Sequence, residues 1–226
     1  MVPRSSTLLW FGGMSGVGKT TAARAFASEH DLWLYCFDAR SYEHAARMPA
    51  DELTLDERWV DTTPEELADW FEDYSRQRFP LVLADLAEIP DDGAPVLVEG
   101  PHLLPELVTG TTLFVVADPT LQRELVIGRG SDLYARTRDP ERALANRLGR
   151  DEILAARLRA GADVVEISRV DETRKALDAC FLPAIADWLE SDDRGSAASR
   201  RGYDEEARDR QRSAHAAAVA GARLDA

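Results

Sequence analysis

The chain has 226 residues, a mass of 25.0 kDa and a hydrophobic fraction of 45%, which suits one α/β domain with a buried core. Its formal net charge of −14 would repel a phosphate-rich polymer, so we expect no nucleic-acid partner, although a small nucleotide held by a local loop is compatible with that charge. No apolar run approaches the roughly 20 residues of a membrane span, and the two cysteines, Cys36 and Cys180, have no metal-ligand spacing. We therefore expect a cytoplasmic protein without a membrane partner, whose cysteines are small buried side chains.

The strongest signal in the sequence is a phosphate-binding loop of the Walker A type. Every fixed position of the pattern G-x-x-x-x-G-K-S/T is present, in the order Gly13, Met14, Ser15, Gly16, Val17, Gly18, Lys19 and Thr20. Glycines let backbone N–H groups turn toward an anion, Lys19 can reach the β and γ phosphates, and the Thr20 hydroxyl can bind Mg²⁺. A chance match in a flexible glycine loop is the alternative, but the chain has only one other lysine, Lys175, which favours the phosphate site.

The segments on either side of the loop are those that the motif requires. Residues 7–11 form a short apolar run that predicts a strand, and residues 21–27 are rich in helix formers. The N-terminus of that helix would add a partial positive charge to the phosphate site. The sequence therefore predicts that residues 13–20 together with Thr21 bind a nucleotide.

A second predicted strand, residues 32–37, is continuously apolar, as a parallel sheet with both faces covered requires. It ends at Asp38, and ligands of open α/β sheets gather at the carboxyl ends of strands, so we expect Asp38 beside the phosphate loop. The alternative for Asp38 is a carboxylate that caps a turn. The segment that follows, residues 39–63, could cover an acceptor substrate or form a surface connection.

A helix is predicted to begin at Thr63 and Pro64, because threonine caps helices and proline suits the first helical position. The helix can continue past Pro80. Its larger apolar side chains share one face and are expected in the core: Leu67, Trp70, Phe71 and Tyr74. Residues 95–100 then predict a third strand that again ends in a carboxylate, Glu99.

The fourth predicted strand, residues 113–117, is followed by a helix start at Asp118 and Pro119, and a long helix should begin at Asp139 and Pro140. This part of the chain is unusually rich in arginine, with Arg129, Arg136, Arg138, Arg142, Arg147 and Arg150. We expect the leucines of the long helix to form its packing stripe and its arginines to lie off that stripe. There the arginines could reach a bound phosphate or, alternatively, form solvated pairs with acids.

Residues 164–167 predict the last strand, and the helix after it should be capped by Asp171 and kinked by Pro183. Strands and helices thus alternate five times, which predicts an α/β fold with a five-stranded, mainly parallel sheet and helices on both faces. In such a sheet the phosphate loop, Asp38 and Glu99 lie along one edge.

The composition changes near the end of the chain to Ser, Gly, Ala, Arg and Asp. A helix over residues 204–224 would have almost nothing apolar to anchor it, so residues 191–226 are expected to form a mobile, low-complexity tail. The predicted organisation is one domain at residues 1–190, with an arginine-rich lid at about residues 129–150, followed by that tail.

Taken in order, these features resemble the P-loop kinases of small molecules, in the P-loop NTPase superfamily. The resemblance depends on the phosphate loop, Asp38, Glu99 with Gly100, Asp118 with Pro119, the arginine-rich segment and residues 162–165. Uridine-kinase-like and dephospho-CoA-kinase-like members are most similar in pattern, and shikimate kinase and chloramphenicol phosphotransferase are more distant. The resemblance spans about residues 5–190 and implies a P-loop NTPase fold with the phosphate-loop strand at the centre of the sheet and a mobile lid.

The resemblance also implies ATP and Mg²⁺ as cofactors and assigns roles to individual residues. Asp38 would orient and deprotonate the acceptor hydroxyl, and Glu99 would lie near the Mg²⁺ bound by Thr20. Lys19 would neutralise the moving phosphate together with the lid arginines Arg129, Arg136 and Arg138. Gly130 stands where uridine kinases have an aspartate after the arginine.

A last implied contact lies at the loop after the final strand. Residues 168–171, which include Arg169, would lie against the adenine ring through backbone contacts. The function expected from the motifs is an ATP-dependent kinase that transfers the γ phosphate to a hydroxyl of a nucleoside, sugar or natural product. Its partners are then ATP and a small-molecule acceptor, and the protein is a monomer or homodimer.

Two alternatives remain open at this point. One is a sugar-nucleotide kinase of the zeta-toxin type, and the other is a nucleotide-dependent ATPase or regulatory module without an acceptor. A GTPase switch is disfavoured because neither lysine lies in an Asn-Lys-x-Asp motif, and a transporter ATPase because no Leu-Ser-Gly-Gly-Gln stretch occurs. A phosphorylated acceptor predicts converging arginines from Arg40, Arg47, Arg58, Arg76 and Arg78, whereas a neutral acceptor predicts a lining of Trp59, Tyr42 and His44.

Overall fold

A computed structural model describes residues 6–49, 53–128, 132–191 and 197–224. In this part of the chain, the strands are β1 (Leu8–Gly13), β2 (Trp33–Cys36), β3 (Val96–Glu99), β4 (Thr111–Ala117) and β5 (Val164–Ile167). All of them are parallel, in the order β2-β3-β1-β4-β5. The predicted α/β fold is therefore confirmed, and the phosphate-loop strand β1 is central.

Helices cover both faces of the sheet, which is why every residue of β2 and β3 is buried. They are α1 (Lys19–His30), α2 (Ser41–Ala45), α3 (Pro64–Glu88), α4 (Pro119–Gly128), α5 (Asp132–Ala135), α6 (Pro140–Gly161), α7 (Glu172–Phe181), α8 (Ala186–Glu190) and α9 (Ala197–Leu224). Helices α1 and α7 pack against each other, as do α3 and α6. None of the helices in the described ranges is long and apolar enough to cross a membrane.

Strand register sets the edge that carries the candidate site. Glu99, the last residue of β3, is paired with Phe11 of β1 on one side and with Cys36 of β2 on the other. The carboxyl ends of β1, β2 and β3 therefore lie side by side, and the segments that leave them meet above the sheet.

The predicted start of α3 is confirmed by a reciprocal capping box. The Thr63 hydroxyl accepts a hydrogen bond from the backbone N–H of Glu66 (3.2 Å), and the Glu66 carboxylate accepts one from the N–H of Thr63 (2.9 Å). The helix continues without interruption past Pro80 to Glu88. At α6, the Asp139 carboxylate accepts from the N–H of Arg142 (3.0 Å), so this helix start is also confirmed.

Two expectations for the region after β5 are wrong. Asp171 occupies the position before α7, but its side chain makes no capping hydrogen bond and pairs instead with Arg169 (2.9 Å). Pro183 does not kink a continuous helix, because α7 ends at Phe181 and a 3₁₀ turn, Pro183–Ile185, separates it from α8. The missing N–H of proline explains the break.

The expectation that a helix near the end of the chain would have nothing to anchor it is also wrong. Helix α9 packs along β2, the edge strand, with Ala207 2% exposed and Asp204 7% exposed. The Tyr203 ring contacts the Trp33 ring edge-on at 5.7 Å, and Asp204 pairs with Arg24 of α1 at 2.9 Å. The Tyr203 ring, the small buried residue Ala207 and the ion pair of Asp204 therefore hold this helix. A domain boundary at residue 190 stays a prediction.

Candidate active site

The phosphate loop joins β1 to α1 and requires glycine at specific positions. Gly13, Gly16 and Gly18 have φ values of +119°, +96° and +83°. A Cβ atom on Gly13 would lie 2.1 Å from the carbonyl oxygen of Val115. The neighbouring N–H of Met14 donates to that same oxygen at 2.9 Å. The loop is therefore held against β4, and its conformation favours glycine at positions 13, 16 and 18.

Lys19 lies inside the loop. Its side chain is almost fully buried, and its Nζ donates to the carbonyl oxygens of Gly13 (3.1 Å) and Met14 (2.7 Å). An ammonium held this way faces the concave side of the loop. It can exchange these carbonyls for the oxygens of a bound phosphate with little rearrangement.

The start of α1 is joined to the end of β3 by one side-chain contact. The Thr20 hydroxyl lies 3.1 and 3.2 Å from the two carboxylate oxygens of Glu99. The Cys36 thiol donates to Glu99 Oε2 at 3.1 Å. Burial raises the pKa of Glu99 above the ordinary carboxyl value, and Lys19 partly opposes that rise. Burial also raises the pKa of the Cys36 thiol, which keeps its proton for this hydrogen bond.

Asp38 begins a 3₁₀ turn, Asp38–Arg40, directly after β2. Its side chain is exposed and has no hydrogen-bond or ion-pair partner in the part of the chain that the structure describes, so the turn-capping alternative is not what the geometry shows. It opens onto a pocket of about 110 Å³ at the phosphate loop. The pocket is lined by Ser15, Gly16, Gly18, Lys19, Thr20, Thr21, Asp38, Glu99 and Pro101. The structure therefore brings together the carboxylates that the sequence places at two strand ends.

The donor set at this pocket suits a hard divalent cation. Thr20 offers a hydroxyl and Glu99 a carboxylate, the oxygen ligands that Mg²⁺ prefers. Mg²⁺ usually takes one or two protein carboxylates and completes its shell with water and substrate phosphates. No group of three His, Cys, Asp or Glu side chains that could hold a metal ion occurs in the described residues.

A buried charge cluster of α6 lies against the phosphate loop. Asp151, 1% exposed, accepts hydrogen bonds from Arg147 (3.0 Å) and Arg150 (2.7 Å). Gln122 of α4 donates to Asp151 (3.0 Å) and lies 3.5 Å from the carbonyl oxygen of Ser15. Of the alternative that the arginines form solvated pairs with acids, the pairing is confirmed and the solvation is wrong, because Arg150 is only 5% and Asp151 1% exposed. Two arginines on one aspartate leave one net positive charge beside the loop.

The other predicted arginines are placed differently. Arg129 lies outside the described residues, and Arg136 is exposed in the turn after α5. Arg138 pairs with Asp61, and its backbone N–H donates to Asp56 at 2.8 Å, so it is tied to the segment before α3. Contact of these arginines with a phosphate stays a prediction.

The loop after β5 touches the phosphate loop. A Cβ atom on Gly18 would lie 2.7 Å from Val170 Cγ1. The Thr173 hydroxyl donates to the carbonyl oxygen of Val17. Arg169 is exposed and pairs with Asp171. Residues 168–171 therefore adjoin the phosphate loop, and their contact with adenine stays a prediction.

Neither predicted acceptor lining is assembled at the phosphate-loop pocket. Each of the five arginines has another contact: Arg40 lies between the rings of Tyr35 and Tyr203, Arg47 on Asp85, Arg58 over Trp70, Arg76 on Glu72, Asp73 and Glu106, and Arg78 on His44. His44 is fully buried, Tyr42 bonds to His215, and Trp59 packs on Tyr134. The question of a phosphorylated or neutral acceptor is therefore not decided by these residues.

A second cavity, of about 80 Å³, borders the phosphate loop between α3, residues 101–106 and α6. Its wall combines apolar side chains, among them Phe71, Leu103 and Leu154, with charged ones: Glu72, Glu106, Arg150, Asp151 and Arg157. The ring of His102 stacks on Phe71 at 4.4 Å, and its Nδ1 is bonded to Ser75 at 2.8 Å. Burial lowers the pKa of His102 well below its ordinary range, and nearby cationic side chains lower it further, so the ring is neutral.

A hydrogen-bonded network under the Asp38 turn was not foreseen from the sequence. Arg78, 1% exposed, donates to His44 Nδ1 (2.8 Å) and to the carbonyl oxygen of Phe37 (2.5 Å). His44 Nε2 then donates to Asp85 (2.8 Å). The network fixes Phe37, the residue before Asp38.

Sequence reasoning missed this network, as well as Asp151, Gln122 and His102. The spacing of Arg147 and Asp151, four residues apart on a predicted helix, was the available signal for the α6 cluster, but it also describes a solvated pair. For His102, the signal was its place three residues after Glu99, at a strand's carboxyl end.

No protein-family model matches the chain, and no curated protein matches it. A shikimate kinase from Bacteroides thetaiotaomicron is similar in structure, with 14% identity over 76% of this chain and 96% of that one and a TM-score of 0.43. A shikimate kinase from Acinetobacter baumannii in complex with shikimate has 20% identity, coverage of 78% and 93%, and a TM-score of 0.43. A gluconokinase from Sinorhizobium meliloti 1021 has 16% identity, coverage of 81% and 95%, and a TM-score of 0.39.

Proposed function

We propose that the chain is an ATP-dependent phosphotransferase that moves the γ phosphate of ATP to a hydroxyl group of a small molecule. The observation that carries the proposal is that Lys19, Thr20, Glu99 and Asp38 line one pocket at a phosphate-binding loop. Among the described residues, the Asp38 carboxylate has no hydrogen-bond or ion-pair partner. An exposed carboxylate at this pocket can orient the attacking oxygen of an acceptor hydroxyl or of water, so the acceptor assay below distinguishes a kinase from an ATPase.

Phosphoryl transfer needs positioning and neutralisation of charge more than covalent chemistry. The glycine backbone would cradle the phosphates, and Lys19 would leave the carbonyls of Gly13 and Met14 for phosphate oxygens. Thr20 and Glu99 would hold Mg²⁺, which supplies charge neutralisation between the phosphates. The excess positive charge of Arg147 and Arg150 lies beside the phosphate loop, where Gln122 links Asp151 to Ser15. This charge would counter the negative charge of the transferred phosphoryl group.

Asp38 is the proposed partner of the acceptor hydroxyl. A carboxylate without a competing partner can accept the hydroxyl's hydrogen bond, orient its oxygen toward the phosphate and take the proton as the new bond forms. The cavity beside Phe71 and Leu103 adjoins the same loop and would bind part of the acceptor. Its lining of apolar and charged side chains would suit an acceptor that has both apolar and polar groups.

The two lysines of the chain allow a matched test of nucleotide binding. Lys19→Ala should weaken binding of ATP with Mg²⁺ and lower phosphoryl transfer by about 100-fold or more. Lys175→Ala should change neither, because Lys175 is exposed and pairs with Asp171. Calorimetric titration with ATP and Mg²⁺ measures binding without any acceptor. Equal binding by wild type and Lys19→Ala would contradict the proposed site.

The acceptor is sought by thermal shift with nucleosides, sugars, hydroxy acids and aminoglycosides, in the presence of a non-hydrolysable ATP analogue. Hits are then tested for ADP release and a phosphorylated product. ADP release without consumption of any acceptor would favour an ATPase or regulatory module. Growth arrest on expression, relieved by Lys19→Ala, would favour the toxin-like sugar-nucleotide kinase. Sedimentation of the pure protein distinguishes a monomer from a homodimer.

A further inference from the structure

Helix α9 does more than cover the edge strand β2, because it also contacts the turn that carries Asp38 and the helix α2 that follows this turn. Ala207 packs with Ala39 and Cys36 in a small buried cluster. Gln211 accepts a hydrogen bond from the backbone N–H of Tyr42 at 3.2 Å. Further along the helix, Arg210 pairs with Glu43 at 2.6 Å and His215 bonds to the Tyr42 hydroxyl at 2.8 Å. Helix α9 therefore holds the Asp38 turn and α2 on the side of the sheet edge.

The centre of this contact is Arg40, the last residue of the turn. Its guanidinium lies 4.8 Å from the ring centre of Tyr35 in β2 and 4.7 Å from that of Tyr203 in α9. Arg40 is 5% exposed, and its Nε has no hydrogen-bond partner among the described residues. Its ion pair with Glu43 is long, at 3.5 Å. The two ring faces, together with the carboxylates of Glu43 and Asp85, therefore surround this buried cation.

We propose that Arg40, held between Tyr35 and Tyr203, is a positioning residue that fixes the direction of Asp38, and that α9 is thereby part of the phosphotransfer machinery. The inference rests on the proposed function, in which Asp38 orients the acceptor. Phe37, before Asp38, is fixed from inside by Arg78, and Ala39 and Arg40, after it, are fixed from outside by α9. Asp38 thus has an anchor on each side while its own carboxylate stays available.

The first measurement is amide hydrogen exchange, which needs no acceptor. Within the turn, the N–H of Arg40 donates to Phe37 and that of Ser41 to Asp38, so both report on turn order. Tyr203→Leu should speed their exchange by about tenfold or more, whereas Tyr203→Phe, which retains the ring face, should restore wild-type protection. Arg212→Ala is the control on the same helix, because Arg212 is exposed and, among the described residues, pairs with its neighbour Asp209 alone. Arg40→Met removes the cation without altering α9, and it should act like Tyr203→Leu.

The second measurement separates positioning from general stability. With the acceptor found for the wild type, Tyr203→Leu and Arg40→Met should lower kcat by about tenfold or more while the KM for ATP stays within about twofold. Unchanged amide exchange in both variants would overturn the inference. Faster exchange with an unchanged kcat would also overturn it, and so would a Tyr203→Phe variant that behaves like Tyr203→Leu. A wild-type protein that binds ATP but phosphorylates no acceptor would instead count against the proposed function. The exchange measurement would then test only whether Arg40 and Tyr203 order the Asp38 turn.

Discussion

Thr20 and Glu99, 79 positions apart in the chain, are joined by the hydroxyl of one and both carboxylate oxygens of the other, at 3.1 and 3.2 Å. The contact links the first turn of α1 to the last residue of β3. It keeps a carboxylate beside the hydroxyl that would bind Mg²⁺. Because Glu99 is 1% exposed and faces Lys19 across the loop, its charge is poorly screened by solvent.

Glu99→Gln tests this pair. The amide oxygen can still accept from Thr20, so the loop should keep its conformation and ATP should bind without Mg²⁺ as in the wild type. The Mg²⁺ concentration needed to tighten ATP binding should rise by about tenfold, because one negative charge is lost at the cation. Titration of Mg²⁺ at fixed ATP measures this, with Glu65→Gln, an exposed acid of α3, as the control. An unchanged Mg²⁺ dependence would contradict the assignment.

Gly13→Ala and Gly202→Ala should change stability in opposite directions. The Cβ of the first would collide with the backbone of Val115 at a positive φ, so we expect a loss of about 2–5 kcal/mol in the free energy of unfolding. A Cβ atom on Gly202, which lies inside α9, would meet no atom within 4 Å apart from its own helix backbone and chain neighbours, so alanine should stabilise that helix by about 0.5–1 kcal/mol. Urea denaturation measures both. A stable Gly13→Ala variant would show that the loop can relax away from β4.

Asp151→Asn should be strongly destabilising. It leaves Arg147 and Arg150 without their shared carboxylate in a buried place, which typically costs about 3–5 kcal/mol. The matched change Asp69→Asn breaks an exposed pair with Arg157 and should cost no more than about 1 kcal/mol. The free energy of unfolding from urea denaturation compares the two. Similar losses would mean that water reaches the α6 cluster.

His102 predicts a pH dependence of stability with a definite sign. The folded protein keeps this ring neutral, whereas the unfolded chain binds a proton below about pH 6.5. The unfolded state therefore binds more protons at low pH, and the contribution of His102 to stability is lost as the pH falls below about 6.5. Each further pH unit should cost up to about 1.4 kcal/mol. His102→Gln should lack this component when unfolding is measured between about pH 5.5 and 7.5, and identical slopes for both proteins would refute it.

Local chemistry explains what could be predicted from the sequence. The phosphate loop depends on glycines whose φ angles other residues avoid, the start of α3 on the reciprocal pair Thr63 and Glu66, and the strands on short apolar runs. These causes act within a few residues, so the pattern of the chain contains them. Parallel topology then places Asp38 and Glu99 at one edge, and the fold class follows from alternation alone.

The features that the sequence left open depend on which elements meet across the sheet. Arg150 and Asp151 read as surface charges of a helix, but α6 turns them against the phosphate loop, where mutual pairing makes burial of the charges possible. Residues 191–226 read as an unanchored tail, but Tyr203 packs on Arg40 of the Asp38 turn, which in turn packs on Tyr35 of the edge strand β2. By itself, the sequence determined the phosphate loop, the order of strands and helices and the two strand-end carboxylates. Only the tertiary structure decided which charged side chains are buried and which helix holds the Asp38 turn, because burial of a charge depends on a partner that is distant in sequence.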